Sequence, residues 1–243
     1  MALGATAPPP RGFVEFCERQ PADCGASELE LRAMRLASQP AGGTAAVAAT
    51  RYDWTAAFAR EHARRALDAD EPAASPLRTL VDDPSLRSPS ASAEKLAMTP
   101  VTWALITRTN DAVNRAIRPQ TDLATYGVSE FWTTPLENGA KFGDCEDYVL
   151  EKRRALLAAG VPATALSIAV VRTRRNDAHA VLLVASDAGE YVLDSLTPWV
   201  LPWMQTRYQW RERQVAGSAS RWAMAAAQDS PPRVPDLLLA SLP

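Results

Sequence analysis

The chain has 243 residues, which is long enough to bury one substantial hydrophobic core or two small ones. Its formal net charge is −2 with acidic and basic residues interspersed, which argues against a nucleic-acid-binding protein or a polybasic membrane anchor. No apolar run approaches the ~18 residues of a membrane-spanning helix, and no signal-peptide pattern is visible at the start, so we expect either a cytoplasmic protein or the mature form of an exported one.

The first part of the chain is predicted to be helical between irregular segments. Residues 1–10 are rich in Ala and Pro and are predicted to form a flexible N-terminus, so that a single domain spans 11–243. A short helix, a turn containing proline and a second helix are expected over 11–37, and a further helix over 52–67. Residues 68–95 hold four prolines and many small polar residues, which predicts an irregular segment within the domain.

Two of the three cysteines lie close together within the first helical segment. A continuous helix would hold Cys17 and Cys24 about 10 Å apart along its axis, which is too far for a disulfide. Pro21 interrupts that helix and allows a turn to bring the two residues together. In an oxidising compartment the pattern indicates one local disulfide and one free thiol, Cys145; the alternative is a pair of buried, reduced thiols.

Two longer helices carry clear capping signals. Thr99 can cap a helix that has Pro100 as its first residue and runs to about Ile117. The stretch GDCEDYVLEKRRALLAAGVP predicts another helix, with Asp144 as its N-cap and Gly160 just beyond its C-terminus.

The hydrophobic period changes to that of β-strands after this helix. Strands are predicted over 166–173, 179–185 and 190–196, and a tight turn at Asp187–Gly189 makes the last two a hairpin. Helices followed by an antiparallel sheet indicate an α+β fold.

Cys145 lies between acidic residues in the first turn of the predicted helix. The unpaired N–H groups of a helix N-terminus favour a thiolate and could help to hold an oxyanion, whereas neighbouring acids raise the pKa of a thiol. Cysteine catalysis also needs a base and a group that orients that base.

Only two histidines can supply the base. His62 lies among charged residues on a predicted surface helix, where we expect it to be solvated. His179 is the first residue of an apolar strand. It could be the catalytic base, or it could be an ordinary histidine at the exposed end of the strand. If the hairpin loop is even-numbered, Asp194 lies opposite Val181 and diagonal to His179, with Cβ atoms ~7–8 Å apart or less. Cys145, His179 and Asp194 could then form a triad. An odd-numbered loop without a bulge would place His179 and Asp194 on opposite faces.

The chain resembles the bacterial transglutaminase-like cysteine proteinases in the successive blocks GDCEDY, HAVLLV and YVLDSLTPWV, and in the supporting stretches FVEFCERQPADC and NDAVNRAIRPQTDLATYGVSEFWTTPLENG. The similarity covers about residues 11–24 and 100–225. It implies a papain/transglutaminase-like fold, with a catalytic cysteine at a helix N-terminus packed against an antiparallel sheet that carries His and Asp. By this resemblance Cys145 is the nucleophile, His179 the general base and acid, and Asp194 the residue that orients it.

The resemblance also implies a function for the acidic residues around Cys145. LapG-like members of the family require calcium, which implies Ca²⁺ ligands at Asp144, Glu146 and Asp147. Ca²⁺ takes about six to eight oxygen ligands in irregular geometry, and a bound cation would offset the effect of the acids on the thiol. The alternative is an ordinary capped helix with acids in its first turn, which needs no metal.

The function implied by the resemblance is that of a calcium-dependent, periplasmic cysteine endopeptidase. The expected substrate is a periplasmic protein, such as the N-terminal region of a large surface adhesin, whose cleavage controls biofilm formation or attachment. An inner-membrane cyclic-di-GMP receptor of the LapD type is an expected partner, and no nucleic-acid partner is expected. Two alternatives keep the fold: a transglutaminase-like acyl transferase and a catalytically silent binding domain.

Overall fold

The structure is a computed structural model that describes residues 1–38 and 95–226. The helices in these ranges are α1 (Arg11–Arg19), α2 (Pro21–Cys24), α3 (Glu28–Ser38), α4 (Pro100–Ala116), α5 (Asp122–Tyr126) and α6 (Cys145–Ala158). The strands are β1 (Leu3–Ala7), β2 (Arg118–Pro119), β3 (Phe142–Gly143), β4 (Leu166–Arg172), β5 (Ala178–Ser186), β6 (Gly189–Leu193), β7 (Leu201–Pro202), β8 (Gln209–Gln214) and β9 (Trp222–Ala225). Within this part of the chain, no helix is both long and apolar enough to span a membrane.

Seven of these strands form one antiparallel sheet in the order β1-β9-β8-β4-β5-β6-β7, and β2 and β3 form a separate parallel pair. The central strands β4 and β5 are buried along almost their whole length. Because both faces of the sheet centre are covered, these strands are nearly continuous apolar runs without polar alternation. The result is the predicted α+β fold.

Each face of the sheet centre has its own hydrophobic core. On one face Ile168 and Leu182 pack in the same cluster as Val149 and Leu156 of α6. On the other face Val181 and its neighbours pack with Trp203 and Tyr208 from the segment between β7 and β8, and with Trp210 of β8. The centre of the sheet therefore lies between the helices and the aromatic segment that joins β7 to β8.

The two long helices begin where their capping signals predict. The Thr99 hydroxyl accepts a hydrogen bond of 3.1 Å from the Thr102 N–H, and Pro100 is the first residue of α4. Helix α6 begins at Cys145, directly after Asp144, and Gly160 follows its end with a φ of 88°. Such a positive φ suits glycine because it has no Cβ.

The N-terminal segment differs from its prediction. Residues 1–10 were expected to be flexible, but Leu3–Ala7 form the edge strand β1, which pairs with β9. The partner strand lies more than two hundred residues away in the sequence, so local composition could not reveal the pairing. The predicted helix over 52–67 and all but the last residue of the irregular segment 68–95 lie outside the described residues.

The predicted disulfide between Cys17 and Cys24 is present, and both residues are fully buried. Helix α1 ends at Arg19 and α2 begins at Pro21, so the chain turns between the cysteines and brings their Cα atoms to 5.0 Å. Cys145 is a free, buried thiol. The bond joins α1 to α2 within the core that also contains Val149 and Leu156 of α6.

The disulfide should make a moderate contribution to stability. Because it closes a short loop, the double variant Cys17→Ser/Cys24→Ser should lower the free energy of unfolding by ~2 kcal/mol in urea titrations. Reduction should lower the stability of the wild type but not that of the variant. Alkylation of all three cysteines in unfolded, unreduced protein from an oxidising compartment would show that the bond does not form there.

Candidate active site

Cys145 occupies the N-terminus of α6, where that helix meets the sheet. The preceding strand β3 ends at Gly143, and Asp144 follows as N-cap in an extended conformation. The Cys145 Sγ accepts a hydrogen bond of 3.2 Å from the Ala180 N–H on β5. The sulfur is therefore held against the strand residue that follows His179.

The hairpin register brings the predicted base and its orienter together. Strand β5 pairs with β6 through Leu182 opposite Leu193, and through Ser186 opposite Gly189 across a two-residue turn. This even-numbered loop continues the register towards Asp194, as the sequence argument required. The His179 Nε2 and Asp194 Oδ1 lie 2.7 Å apart, and both side chains are buried.

Asp194 is held in its ionised form although it is buried. Burial would raise its pKa, but the charge and hydrogen bond of His179 oppose this effect. Hydrogen bonds donated by the Leu196 N–H, at 2.9 Å, and by the Tyr208 hydroxyl act in the same direction, so the pKa of Asp194 falls to about 2. A carboxylate in this state can orient an imidazole and stabilise its protonated form.

Two asparagines of α4 fix the loop that carries Asp194. The Asn114 Nδ2 donates to the Asp194 carbonyl oxygen at 2.8 Å, and the Asn110 Nδ2 donates to the Pro198 carbonyl oxygen at 3.2 Å. Neither asparagine nor Tyr208 was predicted from the sequence. A signal for the asparagines was available, since two amides four residues apart lie on the same side of a helix and need partners if that side is buried.

Three buried carboxylates converge beside the cysteine. Ligand oxygens of Asp122, Asp144 and Glu146 all lie within 4.8 Å of one another. Each residue also has one buried oxygen with no hydrogen-bond partner among the described residues: Asp122 Oδ1, Asp144 Oδ1 and Glu146 Oε1. Burying such atoms without a partner is costly, so the group has the donor chemistry of a cation site.

The predicted ligand set matches this cluster only in part. Asp144 and Glu146 belong to it, but Asp147 does not, and Asp122 was missed. Asp147 is buried nearby, with its Oδ1 accepting from the Thr133 N–H at 2.8 Å and its Oδ2 without a partner in the described structure. Asp122 comes from α5, 22 residues before Asp144, and donates its N–H to Asp144 Oδ2 at 3.3 Å. The carboxylate of Asp144 therefore faces Asp122 and does not cap its own helix.

Burial and mutual repulsion oppose the ionisation of these acids. Burial raises the pKa of Asp144 to about 6, and burial with the charge of Asp144 raises the pKa of Asp122 to about 7. The same two causes raise the pKa values of Glu146 and Asp147 well above their usual range. The carboxylates can all be ionised at low cost only if a cation shares the site.

The acids also act on the thiol. The Cys145 S–H donates to Glu146 Oε2 at 3.3 Å. Burial raises the pKa of Cys145 well above its usual range, and the charges of Glu146 and Asp144 raise it further. The helix N-terminus does not overcome these effects, so burial and the acids together keep Cys145 protonated.

A cysteine at the start of a helix that packs on an antiparallel sheet, with a His–Asp pair on that sheet, is the arrangement of the papain/transglutaminase-like class. Within this class the chain belongs to the bacterial transglutaminase-like cysteine proteinase family, whose sequence model matches residues 85–230, more than half of the chain. It is therefore a cysteine peptidase.

Among solved structures, the chain is similar to LapG of Legionella pneumophila. The calcium-bound form is 22% identical to it, with a TM-score of 0.48, and the match covers 69% of this chain and 88% of LapG. The EGTA-treated form is 23% identical, with a TM-score of 0.46, and the match covers 69% and 86%. No curated protein matches the chain significantly.

The pKa of Asp194 leads to a prediction about stability and pH. A lowered pKa contributes stability that is present above the unfolded-state value and is lost as the pH falls through about 2. Asp194→Asn should therefore lower the free energy of unfolding by ~2 kcal/mol at pH 7 and pH 5, and by about half as much at pH 3. Urea titrations in EGTA measure this, with Asp111→Asn on α4 as the control. An equal loss at all three pH values would contradict the ionic role of Asp194.

Proposed function

We propose that this cysteine peptidase is a calcium-dependent endopeptidase with Cys145 as nucleophile, His179 as general base and acid, and Asp194 as the orienting residue. The observation that carries the proposal is the buried 2.7 Å contact between His179 and Asp194, next to the strand residue that holds the Cys145 sulfur. Cys145 begins α6, His179 lies on β5 and Asp194 follows β6. The Cys145 sulfur contacts the N–H of Ala180, the strand neighbour of His179.

We propose a place for each proton. The Nε2 of His179 is engaged by Asp194, so Nδ1 is the nitrogen that we propose as the acceptor of the Cys145 proton. The thiolate attacks the peptide carbonyl carbon, and the imidazolium then returns its proton to the departing amine. Water activated by the same nitrogen hydrolyses the thioester and releases the second product and free Cys145. N–H groups in the first turn of α6 can hold the oxyanion formed in both steps.

The buried acids fit a calcium ion. Asp122, Asp144 and Glu146 would hold it through carboxylate oxygens that have no other partner in the described structure, and Asp147 remains a candidate ligand. A bound Ca²⁺ supplies positive charge that offsets the acids and so favours the thiolate at Cys145. Gly143 helps to pack this site, because a Cβ at that position would lie 2.5 Å from Asp147 Oδ2.

The proposed setting is the periplasm, and the proposed substrate is the N-terminal region of a large surface adhesin. The Cys17–Cys24 disulfide supports an oxidising compartment. The family resemblance supports the adhesin, and with it a role in biofilm formation or attachment. It also supports sequestration by an inner-membrane cyclic-di-GMP receptor of the LapD type.

The triad makes a direct prediction about activity. Cys145→Ser and His179→Ala should each reduce cleavage of a recombinant adhesin N-terminal region from the same genome by about a thousandfold or more. The double variant should lose little beyond either single variant, because the two residues act as a unit. Cleavage is measured by gel electrophoresis and mass spectrometry, with circular dichroism as a check of folding.

His62→Ala is the matched control for this test, and it should retain wild-type activity. Near-wild-type cleavage by His179→Ala would show that the triad is assigned wrongly. Incorporation of a labelled amine by the wild type in place of hydrolysis would favour acyl transfer.

The acid cluster predicts a calcium-dependent stability. Binding stabilises the folded state by about 2.7 kcal/mol at a roughly hundredfold excess of Ca²⁺ over Kd. The melting temperature of EGTA-treated wild type should therefore rise in millimolar Ca²⁺, together with its activity. Asp122→Asn and Asp144→Asn should each abolish the rise, because each removes a charged ligand.

Glu28→Gln, which changes an exposed acid on α3, should leave the calcium response intact. If Ca²⁺ changes neither the melting temperature nor the activity of the wild type, the proposal that these acids bind calcium is wrong. A response that survives in Asp122→Asn but not in Asp147→Asn would restore the ligand set expected from the sequence.

A further inference from the structure

A cavity of about 470 Å³ borders Asp194 of the candidate triad. Asp194 and Tyr208, which are hydrogen-bonded to each other, form part of its lining. The cavity is bounded by the turn between β4 and β5 and by residues 196–208. A peptide held there would lie against Asp194 and Tyr208, on the side of the triad that carries the orienting carboxylate.

Three exposed arginines line this cavity from two sides. Arg174 and Arg175 come from the turn between β4 and β5, and Arg207 comes from the segment before β8. None of the three forms an ion pair with any residue in the described ranges. The whole chain has a net charge of −2, so this positive lining is a local feature and not part of a generally basic surface.

The turn that carries two of the arginines is ordered by its own hydrogen bonds. The Thr173 N–H donates to the Asp177 carbonyl oxygen at 2.9 Å, and the Thr173 hydroxyl accepts from the Arg175 and Asp177 N–H groups at 3.3 and 3.2 Å. Asn176 adopts a positive φ of 66°, which closes the turn. The backbone therefore holds Arg174 and Arg175 at the cavity.

We infer that this cavity binds an acidic stretch of the substrate, with Asp or Glu side chains close to the scissile bond. Guanidinium groups bind carboxylates through two parallel hydrogen bonds, and unpaired arginines on two walls can grip such side chains from both sides. Asp194, the acidic residue in the described lining, does not cancel this preference. Asp194 is already engaged by His179, Tyr208 and the Leu196 N–H.

The inference rests on the proposed endopeptidase function, but binding can be measured without cleavage. The probe is a fluorescein-labelled peptide of alternating Ala and Glu, compared with its Ala and Gln counterpart, on the Cys145→Ala protein in low salt. Fluorescence anisotropy should show tighter binding of the Glu peptide, and this binding should weaken as salt is added. In the same background, Arg174→Gln/Arg175→Gln/Arg207→Gln should weaken binding of the Glu peptide by about tenfold, since each exposed contact contributes modestly.

A charge-matched control separates the cavity from overall charge. Arg32→Gln/Arg211→Gln/Arg221→Gln removes three exposed arginines that do not line the cavity, and it should leave the affinity for the Glu peptide unchanged. Equal binding of the Glu and Gln peptides, or an equal loss in both triple variants, would overturn the inference. Adhesin cleavage is measured separately, with the enzyme that retains Cys145. Preferential binding of the Glu peptide without adhesin cleavage would reject only the proposed function. Adhesin cleavage without preferential binding of the Glu peptide would reject only this inference.

Discussion

The register of the β5–β6 hairpin is the constraint on which the candidate site depends. A two-residue turn pairs Ser186 with Gly189 and sets the register up to Asp194. A slip of one residue would turn His179 and Asp194 to opposite faces. Strand β5 cannot slip easily, because both faces of the sheet centre are packed and a slip would exchange the side chains of two different cores. The hydrophobic packing of the sheet thus fixes a polar contact between two side chains.

Helix α6 places Cys145 next to the β5 strand, but the surroundings of the sulfur are unfavourable for a thiolate. A helix N-terminus favours a thiolate, yet burial and then the charges of Glu146 and Asp144 hold the pKa of the Cys145 thiol well above its usual range. The conflict is intrinsic to the sequence, since the acids immediately flank Cys145. A cation near the carboxylates would relieve the part of the conflict that the acids cause. Acids that raise the pKa of the free thiol would then be compatible with an active enzyme.

The sequence predicted those parts of the structure that depend on local signals. The cap at Thr99, the start of α6 after Asp144 and the even-numbered hairpin are encoded within a few residues of where they act. Asp122 and Tyr208 could not be predicted in the same way, because each reaches the site from a distant part of the chain. Strand β1 was missed for the same reason, since its partner β9 lies at the other end of the described structure.

Two neighbouring parts of the candidate site carry side chains of opposite charge. Buried carboxylates surround the thiol, whereas exposed arginines line the cavity next to Asp194. A bound cation would neutralise much of the first charge without reversing the second. An acidic peptide would then be attracted to the cavity and not to the acid cluster, so the charges would select its orientation as well as its composition. Neutralising the acid cluster would therefore favour both the thiolate and the approach of an acidic substrate, which links the two proposals through one electrostatic effect.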